Sequence, residues 1–240
     1  MTLSIALRGD TAHHPGNTLP ALRSALRAGA DLVKVDVHLT TDGYPVLADD
    51  RVVAPPGAPP RRVADLTLAE IAATRDDVDR RVPTLMEVLA EHRGGDAPPL
   101  LLDAGSSEAA LAADALLRER GLADQVLFTG STETLTALRE RSAVVPLLLA
   151  WDQPGMPPDE LTRTLRPAFL GTHFTLLTRE LITEMHRFGY RVTAWTVNEF
   201  PEMARLIGMG VDALATERVD DLVSLTSGRE LGDVATAGAT

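Results

Sequence analysis

The stretch LVKVDVHL, residues 32–39, sets an ammonium and a carboxylate two residues apart. Apolar and polar residues alternate through it, so it reads as a strand with Lys34 and Asp36 on one face. Lys34 is the only lysine among the 23 Lys and Arg residues of this 240-residue chain. Protonated, it donates up to three hydrogen bonds and neutralises nearby acids. Desolvated and deprotonated, it is instead a base or a Schiff-base amine. Other candidates follow apolar runs. Arg8 comes directly after LSIAL and is either a bidentate clamp for phosphate or carboxylate or an anchor for the first loop. His13 and His14, in that loop, are either acid–base groups or solvated side chains. Asp49 and Asp50 form an acidic pair; a carboxyl at its ordinary pKa is a usable base but a poor acid near neutrality. His173 lies in GTHFTLLT at the end of a later apolar run, and Trp195, in AWTVN, is either a ligand-facing wall or a core residue. His92 and His186 fall on helical segments and are read as surface residues.

The elements that position these groups alternate regularly. LSIAL (3–7) precedes TLPALRSALRAG (18–29), whose apolar residues recur at three and four and which ends at glycine. LVKVDV follows at 32–37. PLLLDA (99–104), QVLFTG (125–130), VVPLLLAW (144–151), AFLGTHF (168–174), RVTAWTV (191–197) and DALATE (212–217) each precede an amphipathic segment. Eight such strand–helix units imply parallel strands with crossover helices, and a chain of this length suits a closed (β/α)₈ TIM barrel. In such a barrel, sites form at the C-terminal ends of the strands. TTDGYPVLADD (40–50) holds an Asp-Gly turn signal, so 37–48 is expected to form a hairpin excursion off the second strand. Residues 51–82, with APPGAPP inside, read as a loop and a short helix before PTLMEVLAEHR. The expected organisation is one barrel domain over 1–228 and a frayed tail over 229–240.

A net charge of −11 without a basic run argues against nucleic acid or an anionic membrane as partner, but leaves room for a small anionic ligand at a local site. There is no cysteine, hence no disulfide or thiol chemistry. No apolar run approaches the length of a membrane span, and no basic-then-apolar leader opens the chain, so a cytoplasmic setting is the expectation. Nothing in the sequence sets an oligomeric state.

The order of short motifs resembles the glycerophosphodiester phosphodiesterase family, metal-dependent (β/α)₈ hydrolases, over nearly the whole chain. The matching pieces are Arg8-Gly9, Pro15, Asn17-Thr18, TTDGYPV at 40–46, Pro83-Thr84-Leu85, AWTVN at 194–198 and Gly210-Val211-Asp212. The resemblance implies phosphoric diester hydrolysis in lipid and glycerophosphodiester metabolism. It implies two histidines flanking phosphorus and a divalent cation, Ca or Mg, held by Glu-x-Asp and a later Glu. It also implies that Trp195 faces a ligand's carbon skeleton; Arg8 and His173 are expected substrate contacts from their place at the strand ends, and Asn17, in the matching Asn-Thr piece, is counted with them.

The chemical positions depart from that pattern. Leu7 and Asp49 stand where the family has its histidines, Lys34 where it has the Glu of Glu-x-Asp, and Gly16 where it has the Glu of Pro-Glu-Asn-Thr. Glu-x-Lys has become Asp103-Ala-Gly105, while Asp36 and Asp50 keep the family residue. The resemblance therefore places Lys34 among residual ligand positions Asp36 and Asp103, where a protonated lysine repels a cation and can replace it. The alternative is drift at a dead site. The expectation is a pseudoenzyme or repurposed member without metal, keeping an anion-accepting pocket, with Lys34, Asp49 and Asp50 at the old catalytic centre. Two rivals remain: a working phosphodiesterase rearranged around His13 or His14 with a metal on Asp36 and Asp103, and a different barrel enzyme that uses Lys34 as its base or amine.

Overall fold

The computed structural model describes residues 1–48, 52–53, 59–74, 77, 79–91 and 98–226. Asp49, Asp50, His92, most of APPGAPP and the expected tail lie outside the described residues.

Eight parallel strands carry the fold: β1 (Leu3–Leu7), β2 (Leu32–Leu39), β3 (Leu100–Ala104), β4 (Val126–Gly130), β5 (Leu148–Ala150), β6 (Phe169–His173), β7 (Arg191–Trp195) and β8 (Ala213–Thr216). They pair in chain order, with β8 against β1. A single Phe128–Leu147 bridge, with Phe128 N donating to Pro146 O at 3.0 Å, joins β4 to β5 and nearly closes the barrel. The run 144–151 was expected to be one long strand, but its ladder is confined to Leu148–Ala150. Pro146 has no N–H to donate, which limits pairing upstream.

Helices follow the strands as the periodicity requires: α1 (Leu19–Ala28), α2 (Leu68–Ala72), α3 (Leu85–Glu91), α4 (Ser107–Glu119), α5 (Thr132–Arg141), α6 (Asp159–Leu165), α7 (Arg179–Arg187), α8 (Phe200–Met209) and a last helix from 219. Their starts are written in the sequence. Thr18, Ser106, Ser131 and Thr178 each accept a backbone N–H at a helix N-terminus. No helix among the described residues is long and apolar enough to cross a membrane.

Side chains alternate across each strand. One set, including Val33, Val35, Leu102, Phe128, Leu170 and Leu214, packs under the helices. The other fills the lower barrel interior with Ile5, Leu32, Leu101, Leu127, Leu148 and Phe169. Above this layer the inward residues shrink to Thr129, Ala150, Gly171, Thr193 and Ala215, so the interior opens into a cavity. The hairpin excursion forms as expected: Pro45–Leu47 pairs antiparallel with Val37–Leu39. It buries its own small core of Val46, Ala48, Val63, Leu66 and Ile71.

Candidate functional site

Alternation puts Lys34 and Asp36 on the inner face of β2. Register puts Asp103 of β3 directly beside Asp36, and Leu7 of β1 beside Lys34. Lys34 starts one pleat below the two acids, between Leu7 and Leu101, which flank its apolar stem. Its Nζ reaches up to lie 2.5 Å from Asp36 Oδ1 and 2.8 Å from Asp103 Oδ2. The Lys34 side chain is 20% exposed and that of Asp36 18%. Burial alone would lower the Lys34 pKa. The fields of Asp103 and Asp36, with their hydrogen bonds, outweigh it and hold the ammonium above its ordinary value.

Asn17 completes this corner. Its Nδ2 donates to Asp36 Oδ2, and its Oδ1 accepts from Asp36 N, both at 3.0 Å. It is 1% exposed and is not among the residues lining the cavity. The sequence named it as a substrate contact; the structure gives its amide to Asp36. Arg8 adopts the left-handed backbone region (φ 60°) and sends its Nη2 to Glu217 Oε1 at 2.6 Å. Asn198 Nδ2 donates to the other Glu217 oxygen at 3.0 Å.

The cavity at the barrel mouth measures about 430 Å³. Leu7, Arg8, Lys34, Asp36, Asp103 and Trp195 all line it, so the structure brings together most of the residues singled out in sequence. It adds Thr129, Asp152, Thr193 and Glu217, which sequence reading passed over. A signal was available for both at the mouth: Glu217 directly follows β8, and Asp152 comes two residues after β5. The His173 ring is exposed, with Nδ1 2.8 Å from Thr175 Oγ1, and is not part of the lining.

The loop histidines lie apart from this cavity. His13 Nδ1 sits 2.9 Å from Asp10 Oδ2, which raises the His13 pKa first through that hydrogen bond and then through charge. Asp10, His13 and Asp220 bring potential metal-binding atoms within 4.8 Å of one another, with His13 and Asp220 exposed. His14 lines a neighbouring groove with Arg8, Asn198 and Glu217. His186 is partly exposed and pairs with Asp212 at 2.7 Å. His38, unremarked in sequence, has its ring against Gly105, where an added Cβ would stand 2.4 Å away.

The sequence model of the Glycerophosphoryl diester phosphodiesterase family matches residues 8–221. The chain is 27% identical to a glycerophosphodiester phosphodiesterase of Caldanaerobacter subterraneus subsp. tengcongensis, covering 93% of this chain and 97% of that protein. The crystal structure of a glycerophosphodiester phosphodiesterase from Thermotoga maritima superposes with a TM-score of 0.77 at 25% identity, over 94% of this chain and 98% of that one. An Oleispira antarctica phosphodiesterase, solved in complex with the product sn-glycerol-3-phosphate, shares the fold with a TM-score of 0.80 at 22% identity, over 95% and 97% of the two chains.

Proposed function

Because the chain belongs to the glycerophosphoryl diester phosphodiesterase family, we propose that it is a member in which the Lys34 ammonium takes the place of a divalent cation. The pocket then holds a small phosphate-containing ligand without performing metal-dependent hydrolysis. The observation that carries this reading is the seat of Lys34 Nζ between Asp36 and Asp103. A divalent cation does not fit between those carboxylates while the ammonium is there, because it would meet a positive charge and a nitrogen with no free lone pair. The exchange also conserves the field. A glutamate at position 34 plus a divalent cation contributes one net positive charge, and so does lysine alone.

The acid–base side agrees. Leu7 faces the cavity where the family resemblance places a histidine, and it can neither give nor take a proton. A positioned acid or base is worth roughly 10²–10⁴-fold in rate, so its loss weighs heavily against hydrolysis. The raised pKa of Lys34 works against its use as a base or Schiff-base amine, both of which need the neutral form. What Lys34 can do is orient. Two of its N–H groups serve Asp36 and Asp103, and the third is available to a phosphoryl oxygen at the cavity wall. The ligand class is supported by the sn-glycerol-3-phosphate held in the Oleispira relative.

Calorimetric titration with calcium and magnesium after chelator treatment tests the claim. No stoichiometric binding at this site is expected, and binding abolished by Asp36→Ala would overturn it. Glycerophosphocholine and bis(p-nitrophenyl) phosphate should be turned over negligibly. Turnover that survives repurification and disappears in a His13→Ala, His14→Ala double variant would establish a rearranged active site instead.

A further inference from the structure

The loop after β1 buries a carboxylate outside the barrel-mouth cavity. Asp10 is 2% exposed. Its backbone N donates to Ala21 O at 2.9 Å, and the Ser24 hydroxyl of α1 donates to Asp10 Oδ2 at 2.7 Å. His13 Nδ1 lies 2.9 Å from that same oxygen and 3.1 Å from Oδ1. Burial alone would raise the Asp10 pKa. The hydrogen bonds from Ser24 and His13 outweigh it and hold the carboxyl below its ordinary value, so the buried group carries its charge. No arginine or lysine among the described residues pairs with it. Buried charges are ordinarily paired or bound to a metal. The positive partners of Asp10 are imidazoles, His13 in contact and His14 nearby, whose charges are not fixed near neutrality.

Asp220 closes this cluster from the far end of the chain. It stands in the first turn of the last helix, from 219, and Thr11 Oγ1 donates to Glu217 O at 3.4 Å where that segment meets the loop. No described arginine or lysine pairs with Asp220, since the neighbouring Arg218 serves Asp221 at 2.7 Å. One potential ligand atom from each of Asp10, His13 and Asp220 falls within 4.8 Å of the others. Around a tetrahedral zinc with bonds of about 2.0–2.1 Å, ligand atoms lie roughly 3.3 Å apart. Asp10 and His13 already stand near that spacing, and any further closing falls to His13 and Asp220, both exposed. Ser24 fixes the rotation of the buried carboxylate, as a hydrogen-bond partner behind a metal ligand does. The imidazole nitrogen favours zinc, cobalt or nickel over calcium and magnesium, which take oxygen. None of these four residues lines the cavity that holds Lys34.

We propose that Asp10, His13 and Asp220 form a site for a divalent transition-metal ion of the zinc class, separate from the barrel mouth. The ion replaces the proton between His13 and Asp10, balances the two carboxylates and pins the first loop to the last helix; solvent fills the remaining coordination. Calorimetric titration of zinc chloride into chelator-treated protein, in weakly alkaline buffer, tests the site. Wild type should take up one zinc ion per chain and melt higher with zinc than with chelator. His13→Gln and Asp220→Asn, both at exposed positions, should each bind at least about tenfold more weakly. His186→Gln, which breaks the imidazole–carboxylate pair with Asp212, should bind like wild type. Cobalt added in place of zinc should broaden the His13 ring signals in NMR before those of His186. A cooperative melting transition in chelator shows that each variant is folded. The site is overturned by no uptake in wild type, by uptake that either ligand variant leaves unchanged, or by loss of uptake in His186→Gln, which marks an adventitious ion only.

Discussion

Asn17 and Asp36 hold each other by two reciprocal hydrogen bonds, each 3.0 Å long, across the gap between the first loop and β2. Asn17 does so from the left-handed region, at φ 56°. Its backbone N donates to Arg8 O, and Arg8 N donates to Lys34 O. The loop, the ammonium and the carboxylate are thus one mechanical unit. Asn17→Ala should destabilise by about 2–3 kcal/mol, from two hydrogen bonds at about 1 kcal/mol each and the cost of a left-handed alanine. Asn17→Gly should lose less, because glycine takes that φ without strain. Urea unfolding of both variants checks this; an alanine variant no worse than the glycine variant would mean that the backbone has left φ 56°.

Lys34→Met should strand Asp36 and Asp103 beside each other. Breaking a buried pair costs about 3–5 kcal/mol, and water at the barrel mouth should reduce that to about 1–2 kcal/mol. The sign with pH follows from the raised Lys34 pKa. Its stabilisation is fully present below the unfolded value of 10.5 and is lost only as pH rises through the folded value above it. The wild-type contribution should therefore be flat from weakly acid to weakly alkaline pH. Chemical denaturation at several pH values reads this directly.

Lys34→Glu should melt lower than wild type in chelator, since it adds a carboxylate to two others. It should then gain thermal stability in millimolar calcium, because a ligand that binds only the folded state stabilises it by mass action. Four melting curves decide the matter, wild type and variant each with chelator and with calcium. An equal metal response in both proteins would remove Lys34 from the supposed ligand position.

Gly171→Ala should displace the Trp195 indole, because the new Cβ would stand 2.0 Å from Cζ3. Overpacking of this kind costs about 1–3 kcal/mol. Indole fluorescence should shift as well, and a Trp151→Phe background leaves Trp195 as the only emitting tryptophan, since the chain has two. An unshifted spectrum with unchanged stability would place the indole elsewhere.

His13 should titrate above its ordinary 6.5, and Asp10→Asn should bring it back towards that value in an NMR titration. Because the folded pKa is the higher one, the stabilisation from this pair is complete below 6.5 and fades as pH rises through the folded value. Asp10→Asn should accordingly cost more stability at pH 5.5 than at pH 8.

The barrel was legible because strand and helix periods alternated eight times along the chain, with a glycine stop after the first helix. Strand alternation alone placed Lys34 and Asp36 on one face, and the ladder to β3 then supplied Asp103. The sequence could not show that Asn17 turns its amide to Asp36, because that depends on a left-handed backbone at a non-glycine residue. Arg8 follows a strand in sequence and reads equally as an anion clamp or as an anchor for the first loop. That its fork meets Glu217 depends on β8 closing against β1, a contact more than two hundred residues away along the chain. Asp152 and Glu217 belong to none of the matching motifs, so only their place relative to the strands marks them. Glu217 follows β8 directly and Asp152 comes two residues after β5, and the geometry of the fold turns residues at strand ends towards the mouth.

A chain with one lysine has one Lys–X peptide bond on a lysine side, Lys34–Val35, and here it lies inside β2 between two neighbouring strands. A lysine-specific endoprotease therefore has a single target, sealed within the sheet. Cleavage cannot proceed through a frayed loop; it must wait until β2 itself detaches. The rate at which the intact chain disappears under such a protease is thus a clock for the opening of the strand that carries the candidate site. Any small molecule that binds across Lys34 and its two carboxylates should slow that clock, whatever its effect on catalysis.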